Sequence, residues 1–97
     1  MNTDLEAYIE RRTDVLNRVR KVLIESLNVN REPSHIDPDV ALFGTGLALD
    51  SVDAVELVIS VETEFDIMFS EDVDVRPIMR TVGKLVEAIM TLQEEKK

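Results

Sequence analysis

Ser51 is the residue best placed to do chemistry in this 97-residue chain. It follows the loop Gly44-Thr45-Gly46-Leu47-Ala48-Leu49-Asp50 and opens a run whose apolar spacing is helical. A hydroxyl at a helix start faces the positive end of the helix dipole, an environment that favours an attached phosphate. The plain alternative is an ordinary N-cap serine. The chain has no cysteine. It therefore has no disulfide framework and no thiolate metal site, and any thiol chemistry must be attached later. His35, the single histidine, lies in a proline-punctuated loop and does not read as catalytic. Asp37 and Asp39 could hold a divalent cation loosely but lack EF-hand spacing. There is no P-loop, dinucleotide fingerprint or zinc motif.

Charge narrows the partners. A net charge of −9 argues against nucleic acid and against anionic membrane surfaces. Between Arg31 and Arg76 there is no Lys or Arg, but there are twelve Asp and Glu. Such a stretch is either a solvated face or an electrostatic docking surface for basic partners. The helix after Ser51 favours the second reading. Its core stripe is Ala54, Leu57, Val58, Val61 and Phe65, yet Val52, Val55 and Ile59 form another apolar line among Asp53, Glu56 and Glu62. An apolar strip rimmed by acids suggests a protein-binding surface. Cover by a neighbouring short helix is the structural alternative.

These residues need a scaffold. A first helix is predicted over residues 4–28, with Val15, Val19, Val22, Leu23 and Leu27 on one face. Pro33, Pro38, Gly44 and Gly46 punctuate a loop over 29–50, anchored by Val40, Leu42, Phe43, Leu47 and Leu49. The second helix spans 51–65. A single turn or short helix is predicted over 70–75. The last helix covers 81–94, capped by Thr81, with Val82, Leu85, Val86, Ile89 and Leu92 inward. Met68, Met79 and Met90 read as core fillers. The expected fold is all-α: one domain over 1–97, with three main helices and one short helix around a small core. Residues 1–12 extend the first helix, and 94–97 form a frayed tail. No apolar run approaches the roughly 20 residues that span a bilayer. The acidic start, residues 1–10, lacks a signal-peptide core. A cytoplasmic monomer is expected.

The run Asp50-Ser51-Val52-Asp53-Ala54-Val55-Glu56-Leu57-Val58 resembles the acyl carrier protein signature, in which Asp-Ser-Leu opens a helix continuing Asp-x-x-Glu-Leu. Leu42-Phe43 upstream fits, as do Glu62-Thr63-Glu64-Phe65-Asp66-Ile67 and Arg80-Thr81-Val82-Gly83-Lys84-Leu85 downstream. The resemblance covers residues 13–92. It implies that Ser51 accepts 4′-phosphopantetheine from coenzyme A through a holo-acyl-carrier-protein synthase (a phosphopantetheinyl transferase). It implies a carrier of acyl thioesters for fatty acid, polyketide-like or related lipid biosynthesis, not an enzyme. Asp50, Asp53, Glu56 and Glu62 would meet basic patches on synthases and transferases, with Val52, Val55 and Ile59 supplying apolar contact. Phe43, Val58, Val61, Ile78 and Leu85 are candidates to line an acyl pocket; for each singly, plain core packing is the alternative.

Val52 departs from the family's usual Leu and shortens that contact. The Gly-Thr-Gly loop, the Arg76-Pro77 stretch and the N-terminal extension also differ from the common pattern, which suggests a specialised carrier. An aminoacyl, peptidyl or D-alanyl carrier is a neighbouring possibility, disfavoured by Ala48-Leu49 before Asp50, where peptidyl carriers have Gly-Gly. A non-covalent acidic helical interaction module is the alternative of another class.

Overall fold

The computed structural model describes residues 3–44, 46–70, 72 and 74–95. Three helices form: α1 (Thr3–Ser26), α2 (Ser51–Phe65) and α3 (Val82–Glu95), with a 3₁₀ turn at Pro33–His35. No strand forms among the described residues; two isolated bridges, Ala41 with Thr81 and Phe43 with Leu49, pin the long loop. The all-α bundle expected from periodicity is the one observed.

α1 is the spine, packing against both α2 and α3. Its buried face is Val15, Leu16, Val19, Val22 and Leu23. Leu27 lies just past the helix end and is half-buried. Asn28 adopts a left-handed conformation there, and Val29 N–H donates to the Leu23 carbonyl at 3.0 Å, closing the helix end. Arg18 fastens α1 to the far end of α2. Its Nε lies 2.9 Å from Glu64 Oε2, its Nη2 donates to the Glu64 carbonyl at 2.7 Å, and its guanidinium stacks 4.4 Å above the Phe65 ring. Glu64 is thereby engaged within the bundle.

The long loop is stitched to the start of α3. Leu42 N–H donates to the Arg80 carbonyl, Val82 N–H to the Val40 carbonyl at 3.0 Å, and Gly83 N–H to the Pro38 carbonyl at 2.7 Å. Burying such a loop requires these pairings, because its backbone groups leave water. Leu42 and Leu49 are buried as expected, while Val40, Phe43 and Leu47 are half-buried. Ile36 is fully buried between the two prolines. It lies outside any helical period, so no pattern marks it. Gly46 has a steric reason: a Cβ there would overlap the Ala41 carbonyl.

The segment after α2 departs from expectation in two ways. Met79 and Met90 are buried, but Met68 is 79% exposed. Asp66 adopts a left-handed conformation and reverses the chain, and the Ile67 and Asp66 N–H groups both donate to the Glu62 carbonyl. The reversal sends Ile67 into the core and Met68 outward. The second difference is the short element. Residues 70, 72, 74 and 75 carry no helix; 71 and 73 lie outside the described residues. The Asp74 carboxylate instead accepts from the Arg76 N–H at 3.0 Å and from its guanidinium at 2.8 Å. This local bond competes with helix, and the turn forms later, at 76–79, where Met79 N–H donates to the Val75 carbonyl. Thr81 caps α3 as predicted, its Oγ1 accepting from Lys84 N–H at 3.1 Å. α3 runs on to Glu95, with Glu94 ion-paired to Arg11 at 2.8 Å, so that part of the predicted frayed tail is helical. The rest, 96–97, lies outside the described residues. No helix among the described residues is long and apolar enough to cross a membrane.

Candidate functional site

The start of α2 is built by reciprocal capping. Asp50, in extended conformation, is the N-cap, and its Oδ1 accepts from Asp53 N–H at 2.9 Å. Asp53 Oδ2 accepts in return from Asp50 N–H at 3.0 Å. The two carboxylates therefore satisfy the helix start between them. Ser51 occupies the first helical position, exposed, and its hydroxyl makes no hydrogen bond to a described residue. This decides the N-cap question: the cap is Asp50, and the serine is free of capping duty. Ala54 N–H donates to the Asp50 carbonyl, while the N–H groups of Ser51 and Val52 have no partner among the described residues.

The approach to Ser51 is anchored on the core. Leu49 is buried, bridges Phe43 and donates its N–H to the Leu42 carbonyl at 3.0 Å. Ala48 adopts φ of 57°, a conformation that costs a residue with a Cβ roughly 1–2 kcal/mol. The loop thus delivers the serine to one place on the surface. An exposed hydroxyl with no partner among the described residues, two N–H groups beside it in the same state and the helix dipole behind it fit a phosphodiester.

Along α2, Val52, Val55 and Ile59 are 74%, 61% and 57% exposed. The described residues of the segment that could have covered them, 70, 72, 74 and 75, form no helix. Asp50 and Glu56 are exposed beside this strip. Asp53 is half-buried within the capping box, and Glu62 is half-buried with its Oε2 accepting from Phe69 N–H at 2.9 Å. Glu62 therefore also ties down the segment after α2, a task sequence reasoning did not assign to it.

The acyl-pocket candidates are scattered. Val61 and Leu85 are buried core; Phe43, Val58 and Ile78 are half-buried. An open apolar groove of about 690 Å³ lies between the segment after α2 and the outer flank of α3, lined by Met68, Phe69, Ile78, Ala88, Thr91 and Leu92. Of the five candidates only Ile78 lines it. Spacing could not reveal this groove, because the reversal at Asp66 creates it.

Residues 17–89 match the family described as the phosphopantetheine attachment site. The chain belongs to this family. It is 42% identical to the acyl carrier protein of Phenylobacterium zucineum (strain HLK1) over 77 residues, 79% of this chain and 91% of that one. It is 40% identical over the same length to the acyl carrier protein of Caulobacter vibrioides (strain NA1000 / CB15N), and 35% identical over 60 residues to that of Karelsulcia muelleri (strain GWSS), 62% of this chain and 69% of that one. The resemblance read from the Ser51 motif is therefore borne out. The chain is an acyl carrier with a phosphopantetheine attachment domain, a carrier rather than an enzyme.

Proposed function

We propose that Ser51 is the attachment point and that the chain carries acyl intermediates there as thioesters, for fatty acid, polyketide-like or related lipid biosynthesis. The observation that carries this reading is the serine hydroxyl itself, exposed and uncommitted at the first position of a helix that Asp50 and Asp53 cap without it. Ser51 Oγ forms the new bond to phosphorus. The pyrophosphate bridge of coenzyme A breaks, the nucleotide half leaves, and the hydroxyl proton passes to a base of the transferase. When attached, the arm supplies the thiol that this cysteine-free chain lacks.

The rest of the site serves docking. Val52, Val55 and Ile59 give a desolvatable apolar centre, with Asp50, Asp53, Glu56 and Glu62 around it as the charged margin. Exposed ion pairs contribute only about 0–1 kcal/mol each. Electrostatic steering with weak final contacts gives fast arrival and fast release, which suits a shuttle serving several enzymes. The groove beside Ile78 is the place with room for an acyl chain, and its apolar lining suits one.

The test is intact mass of the chain purified from its native cells. The reading expects arm-bearing species with acyl masses that neutral hydroxylamine removes, leaving the thiol form. Acyl masses that resist hydroxylamine, or sit elsewhere than on the Ser51 peptide, would contradict it.

A further inference from the structure

Beside the start of α2 lies a polar cleft of about 290 Å³, walled by the 27–31 turn on one side and by the 46–49 loop and Asp53 on the other. Among the described residues, the one basic side chain lining it is Arg31. It is exposed and makes no ion pair with a described residue; its one hydrogen bond, from Nη2 to the Gly46 carbonyl, is long at 3.4 Å. The carboxylate sharing the cleft, Asp53, is engaged with the Asp50 N–H instead. A guanidinium thus shares a cleft with Leu49 and Asp53, each two residues along the chain from Ser51, and has no ion-pair partner among the described residues, in a chain whose next Lys or Arg is Arg76.

Adding a phosphodiester at Ser51 puts a further negative charge beside Asp50, Asp53 and Glu56. The open N–H groups of Ser51 and Val52 offset part of that repulsion, and the cap already uses the others. The missing compensation is a cation with parallel N–H donors, the geometry in which arginine binds phosphate oxygens. We propose that Arg31 holds the phosphodiester joining the arm to Ser51, drawing the first part of the arm into this cleft. The inference rests on the reading that Ser51 carries the arm. It makes Arg31 a positioning residue, one that sets where the arm leaves the surface.

The test compares the wild type with Arg31→Gln and Arg31→Lys, each in apo form and in holo form after loading by a broad-specificity transferase, with intact mass confirming the adduct. Wild-type holo protein should melt above its apo form by about 4 °C. That increment should vanish in Arg31→Gln, survive in part in Arg31→Lys, and shrink at about 1 M salt, where exposed charges are screened. The apo forms should melt together, since Arg31 makes one long contact. The phosphorus NMR resonance of the holo form should differ between wild type and Arg31→Gln. Equal increments and one shared phosphorus resonance overturn the role of Arg31 while leaving Ser51 as the attachment point. Absence of an adduct on the wild type overturns the Ser51 reading, and this inference with it.

Discussion

Asp50 and Asp53 each accept a hydrogen bond from the other's backbone N–H, at 2.9 and 3.0 Å, and Ser51 stands between them with its hydroxyl unused. Two acids that read from the sequence as docking residues are therefore also the cap of the helix that presents the serine. Asp50→Ala should cost about 1 kcal/mol, the usual worth of an N-cap, measured by urea unfolding. It should also slow arm attachment, because Ser51 then becomes the nearest hydroxyl able to cap α2. Asp50→Ser restores a cap and should recover most of the stability.

Glu56 is exposed and makes no ion pair with a described residue, so its charge is open to a partner. Glu56→Lys should leave the unfolding midpoint unchanged and slow transfer of the arm. The slowing should be larger at low salt than at high salt, since screening already weakens the attraction. Transfer rates that ignore both the substitution and the salt remove Glu56 from the docking surface.

The loop before Ser51 holds two opposite backbone demands. Gly46→Ala would drive a Cβ into the Ala41 carbonyl and should destabilise by about 3 kcal/mol. Ala48 already adopts a left-handed φ of 57°, so Ala48→Gly relieves strain and should stabilise by up to about 1 kcal/mol. Urea unfolding of the two variants reads both signs.

Asp74 titrates low. Hydrogen bonds from the Arg76 side chain and backbone hold its carboxyl near a pKa of about 2, below its ordinary 3.8. A depressed carboxyl stabilises the fold above the unfolded-state pKa, and the contribution is lost as pH falls from about 3.8 through about 2. Both side chains are exposed, so solvent screens the pair. Carbon NMR titration should place the Asp74 midpoint near 2 in the wild type and move it up toward the ordinary range in Arg76→Gln, with the backbone N–H of residue 76 still holding it partly down.

The helices were legible because each carries a sustained apolar period. Leu57, Val61 and Phe65 on α2 and Val82, Leu85, Val86 and Ile89 on α3 are buried where the spacing puts them. The exposed strip of Val52, Val55 and Ile59 was legible for the same reason, being apolar and off the core stripe. What stayed hidden depended on single residues where the backbone changes course or no period runs. Asp66 turns the chain and exposes Met68, and Asp74 binds Arg76 in place of the predicted short helix. Ile36 lies between prolines with no period to mark it. At the site, the sequence left open whether Ser51 is an ordinary N-cap. Composition cannot choose between two good capping residues side by side; the reciprocal bond with Asp53, three residues on, makes the choice. Arg31 was visible only as the edge of an acid-rich stretch, because its approach to the α2 start needs the 27–31 turn and the 46–49 loop to meet.

The central claim is that the free hydroxyl of Ser51 takes the arm. Apo protein incubated with coenzyme A, magnesium and a broad-specificity phosphopantetheinyl transferase should gain the mass of one phosphopantetheine, and the Ser51→Ala variant should gain none. No gain in the folded wild type, or a gain that survives Ser51→Ala, would contradict the account.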